Sequence, residues 1–201
     1  ASLAKMTELF RRRGIRPQNA KLLADAFVVC YSNAEVYRRS HIEQVFGQAA
    51  EMDEEVFLQM IRAMNEGLDS RWRKIELQKE SGTRRTQAET LQMVRDGYRT
   101  AIEMIDERAA KHPQAWRILM LAGSLLSDWG DFEYYQELAA ETQTKRIAAF
   151  REKNTQAEAY FTRAAEAYAR QVPKLGRGGY VIDVYLAWFH SLLGINTSGD
   201  L

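Results

Sequence analysis

The sequence predicts an all-α protein made of antiparallel helical hairpins, stacked as a solenoid or packed as a bundle. Three observations lead there. The 201 residues include only three prolines and twelve glycines, and Ala, Glu, Gln, Arg and Leu are abundant. Apolar residues recur three or four positions apart through long stretches, the spacing that lines up one face of a helix. No stretch alternates strictly between apolar and polar residues, as a half-buried strand would.

The elements follow in order. The first helix is predicted over 3–13, where Gly14 before Ile15 suits a glycine C-cap. Pro17 can open the second helix, since its missing N–H is one the first turn leaves unpaired anyway, and the apolar pattern carries it to about 39. Ser40-His41-Ile42-Glu43 reads as a capping box that starts a short third helix. Asp53 reads as the N-cap of a fourth helix over 53–80, with Phe57, Ile61, Met64, Leu68, Trp72 and Ile75 on one face. Ser81-Gly82 breaks the chain.

Thr86-Gln87-Ala88-Glu89 is a second capping box and starts a fifth helix over 86–111, with a stripe of Leu91, Val94, Tyr98, Ala101, Ile105 and Ala109. That stripe passes Gly97, so the helix is expected to run on through it. The short break between the fourth and fifth helices predicts a long antiparallel hairpin. The sixth helix is predicted over 113–128, and Gly130-Asp131 is read as a turn whose aspartate caps a seventh helix over 131–153. The Ala122-Gly123 pair in the sixth helix predicts a close helix–helix crossing. Thr155-Gln156-Ala157-Glu158, a third capping box, starts an eighth helix over 155–172. Lys174 to Gly179 reads as a loop, and 180–193 as a ninth helix.

That last stretch is apolar around most of its circumference and has to be covered. Either it fills the core under the last helix pair, or its Tyr185, Trp188, Phe189 and Leu192 form the candidate interaction surface, for a second copy, a neighbouring domain or a protein partner. The domain reading is a single helical domain over 1–201, with a possible subdivision into 1–80 and 81–201.

The segment Leu119–Phe132, with Ala122-Gly123 and Gly130-Asp131-Phe132, resembles a tetratricopeptide repeat, a helix pair recurring about every 34 residues. One period upstream, Tyr98 and Ala101 fit the start of the repeat's second helix, and Pro113 fits its closing proline. The resemblance covers residues 96–139. Glu89, Gln92 and Tyr135 depart from it, and no proline occurs near Ile147. It implies a non-catalytic scaffold that presents a surface to a protein or peptide.

The chemistry-bearing residues are sparse. His41, His112 and His190 lie far apart and belong to no His-Glu-x-x-His or Glu-x-x-His pattern, so no metal ligand set is expected. Cys30 stands in an apolar run with no histidine or basic neighbour in sequence to activate it, and reads as a small buried hydrophobe. Gly176-Arg177-Gly178-Gly179 lacks the lysine and strand–helix context of a phosphate loop, and no cofactor is expected. The basic groups Arg11-Arg12-Arg13 with Arg16, and Arg84-Arg85, sit in a chain of net charge +1. That balance argues against nucleic acid as a partner. No apolar run reaches the roughly 18 residues of a membrane span.

The function expected is therefore a non-catalytic protein-interaction module. The competing reading is a helical small-ligand-binding protein or enzyme whose site is assembled from distant residues such as Glu35, Tyr37 and His41. Beginning at Ala1, the sequence reads as a trimmed or processed chain, and a lone cysteine leaves its compartment open.

Overall fold

A computed structural model describes residues 3–30, 38–77, 84–136 and 143–171. Among these residues the protein is all-α, with seven α-helices, a short 3₁₀ turn and no strand. The helices are α1 (Leu3–Arg13), α2 (Ala20–Cys30), α3 (Arg39–Phe46), α4 (Glu54–Leu77), α5 (Arg84–Lys111), α6 (Trp116–Gln136) and α7 (Gln143–Gln171). They fall in two compact units, Ala1–Lys111 and His112–Leu201.

In the first unit α1 stops where the sequence indicates. Gly14 takes φ +68°, a left-handed conformation that costs glycine little. Pro17 then opens the 3₁₀ turn Pro17–Asn19, ahead of α2. The Asn19 side chain fastens this connection from both sides. Its Nδ2 donates to the Gly14 carbonyl at 2.9 Å, and its Oδ1 accepts from the Arg16 backbone N–H at 2.8 Å. Three aromatics then join three helices. Phe46 of α3 meets Phe10 of α1 edge-on at 5.8 Å and Phe27 of α2 edge-on at 5.4 Å, all of them buried.

The predicted capping box at Ser40 is not formed. Arg39 is already helical, Arg38 is the residue preceding the helix, and Ser40 is exposed inside the first turn. The reason lies in Glu43, whose carboxylate would have turned back to the helix start. It accepts instead from Arg39 Nε at 2.8 Å. Gly47, at φ +94°, closes α3 with its N–H on the Glu43 carbonyl at 2.9 Å.

Asp53 does cap α4. Its Oδ1 accepts the backbone N–H groups of Glu55 at 2.9 Å and Val56 at 3.3 Å, and Glu54 and Glu55 add negative charge at the positive end of the helix. Replacing Asp53 with Ala should cost about 0.5–2 kcal/mol, read as a lower denaturant midpoint with unchanged slope. An unchanged midpoint would mean that the cap contributes nothing.

Helices α4 and α5 pack antiparallel along the predicted stripes. Phe57, near the start of α4, faces Arg108 near the end of α5, and Arg71 further along α4 reaches Met93 Sδ at 3.6 Å. Phe57, Ile61, Leu68, Val94, Tyr98, Ala101 and Ile105 are fully buried. As expected, α5 passes through Gly97 without a break. It is already helical at Arg84, so Thr86 lies inside the helix and is not its cap, and Arg84-Arg85 belong to the helix and not to a loop.

The second unit departs most from expectation. Gly130-Asp131 makes no turn, and α6 continues through it to Gln136. Pro113 lies in the turn before α6, which begins at Trp116. Likewise Thr155 starts nothing, because α7 runs unbroken from Gln143 to Gln171. Two long helices therefore stand where three shorter ones were predicted.

The cause is visible in the contacts between α6 and α7. A Cβ on Gly130 would lie 2.9 Å from Asn154 Nδ2 and 3.5 Å from the Phe150 carbonyl oxygen. A Cβ on Gly123 would lie 2.7 Å from the Phe161 ring. Both glycines serve close approach of a partner helix, and neither serves a bend. The predicted close crossing at Gly123 is present.

The pairing has a fixed register. Trp116 stacks edge-on against Tyr168 at 5.0 Å, Gly123 receives Phe161, and Gly130 receives Asn154. Each step moves seven residues forward on α6 and seven back on α7, the heptad period of an antiparallel coiled coil. Ala157 and Ala164, both buried, occupy α7 between these contacts. Asn154 is itself buried, and its polar atoms are satisfied. Its Nδ2 donates to the Phe150 carbonyl at 2.8 Å, and its Oδ1 accepts from Ser127 Oγ at 3.4 Å. Lys153 lies over the Trp129 ring at 4.1 Å, where the ring face offsets lost solvation.

Candidate functional site

The first unit gathers ionisable side chains at one corner, formed by α3, the connection from Gly47 to Asp53, the start of α4 and the end of α5. The order of the chain explains the gathering. Asp53, Glu54 and Glu55 stand at the head of α4, and Arg108 and Lys111 at the tail of α5, as favourable helix-end charges require. Antiparallel packing of the two helices then brings head and tail together.

Arg108 is the centre of this corner and is only 5% exposed. Its Nη1 donates to the Ala49 carbonyl at 2.9 Å, and its guanidinium lies 5.0 Å from the centroid of the Phe57 ring. Its Nε has no hydrogen-bond partner. Burial lowers the Arg108 pKa from its usual value, opposed by the negative charges of Glu54, Asp53 and Glu51. Guanidinium groups ionise so strongly that Arg108 remains a cation throughout the useful pH range.

Around it stand two more ties. Arg39 bridges Glu43 on its own helix and Glu107 on α5, and these hydrogen bonds raise its pKa further. Lys111 pairs with Glu51. Both ties are substantially exposed, so each contributes little by itself. Buried Arg108 is the group that fixes the 47–53 connection, through a carbonyl that would otherwise need another donor.

Such a corner holds cations against carboxylates and a carbonyl. Among its described residues there is no nucleophile with an adjacent base. His41 sits half-buried on α3, and His112 is exposed just after α5. Among the described residues no group of three or more His, Cys, Asp or Glu is placed to hold a metal ion. No described helix is long and apolar enough to cross a membrane.

A second feature of the first unit is an open groove of about 400 Å³ along α1, lined by Ala4, Lys5, Glu8, Leu9 and Arg12. Leu9 is 47% exposed, and on α2 Leu22 is 70% exposed. Arg12 is engaged with Glu8 at 2.7 Å, one turn away, so part of the predicted basic cluster at the end of α1 is neutralised on its own helix.

The candidate interaction residues Tyr185, Trp188, Phe189 and Leu192 lie outside the described residues, as do Glu35, Tyr37, His190 and the glycine-rich 176–179 stretch. Cys30 closes α2, and its side chain is not among those described. Sequence reasoning missed Arg108 altogether. The available signal was the distribution of charge, with carboxylates at the head of one long helix and cations at the tail of its antiparallel partner. Compared with protein-family profiles, curated proteins and solved structures, the chain has no significant match.

Proposed function

We propose that this protein is a non-catalytic helical scaffold that binds a protein or peptide partner. It is tetratricopeptide-like in being built from antiparallel helix pairs, although its α6–α7 pair follows a heptad register without a turn at Gly130. The observation that carries the reading is the use made of the charged corner. Arg39, Arg108 and Lys111 are each spent on tying one segment of the protein to another. A binding or catalytic pocket would instead converge such groups on open space.

The interaction surface we assign is the one marked by Tyr185, Trp188, Phe189 and Leu192, where apolar side chains are densest along the sequence. Such a cluster fits a second copy of the chain or a protein partner, because large exposed apolar patches on water-soluble surfaces mark association sites. Aromatic residues of this kind dominate the energetics of interfaces.

Light scattering on the purified chain tests this with Trp188→Glu as the comparison. Wild type should associate and Trp188→Glu should run as a monomer, with equal helix content by circular dichroism. A wild-type monomer at high concentration, carrying a stoichiometric small molecule visible by native mass spectrometry, would replace the scaffold with a ligand-binding protein or enzyme.

A further inference from the structure

We draw no further inference here: the strongest candidate, the open groove along α1 lined by Ala4, Lys5, Glu8, Leu9 and Arg12, is a surface for which nothing in the structure shows what covers it.

Discussion

Phe57→Ala should destabilise the first unit by about 3–5 kcal/mol, the range for deleting a fully buried aromatic side chain. Phe57 has no solvent exposure and sits in the stripe that α4 turns toward α5. Its ring also covers the Arg108 guanidinium, so the substitution removes packing and uncovers a buried cation together. The two losses are coupled. Arg108→Met in the Phe57→Ala background should therefore recover part of the stability, because an apolar side chain tolerates the vacated space better than an incompletely paired charge. Denaturant unfolding of the single and double variants measures this. A loss below about 1 kcal/mol for Phe57→Ala would show that the α4–α5 contact is not packed as described.

Gly123→Leu should cost roughly 1–3 kcal/mol by overpacking the α6–α7 crossing. Even the first side-chain atom would fall 2.7 Å from the Phe161 ring, well inside contact distance, and Phe161 is itself buried. The heptad register makes a specific compensation available. Shortening the facing residue, in Gly123→Leu with Phe161→Ala, should restore more stability than the sum of the single changes allows. Thermal unfolding of the four species closes the cycle. Strict additivity would mean that residues 123 and 161 do not face each other, and the continuous helices α6 and α7 would lose their main support.

The fold class was legible because long apolar stripes leave few alternatives. Phe57, Ile61, Leu68, Tyr98 and Ile105 are spaced as helix faces require, and all five are buried where α4 meets α5. Gly14 and Asp53 were also readable, since a left-handed glycine and an aspartate N-cap act through their immediate neighbours. The errors at Gly130-Asp131 and Thr155 share one cause. Both look like local punctuation in the sequence, whereas tertiary contact decides them. Gly130 is required by Asn154 across the crossing, and Thr155 lies on an exposed face of a helix held by its neighbours Asn154 and Ala157. Glycine within a helix costs about 1 kcal/mol, a penalty that close packing over several turns offsets. The seven-residue spacing of Trp116, Gly123 and Gly130, and of Asn154, Phe161 and Tyr168, is present in the sequence, but the pairing of Trp116 with Tyr168, Gly123 with Phe161 and Gly130 with Asn154 is tertiary.

The site was less legible than the fold. Arg108 and Ala49 are distant in sequence, and nothing local to either shows that the arginine is buried against the carbonyl. Ser40 failed as a cap for a related reason. Its partner Glu43 is claimed by Arg39, which also holds Glu107 from α5. Side chains with several available partners are assigned by tertiary packing, and a motif of four residues carries no information about the others.

The proposed partner-binding stretch contains Trp188. A photoactivatable benzophenone amino acid placed at position 188 of the intact chain, followed by mass measurement of the crosslinked product, tests that binding most directly. A covalent adduct enlarged by a second polypeptide is expected, lost when Tyr185 and Leu192 are both changed to Glu. Products joined only within one chain, with its mass unchanged, would contradict it.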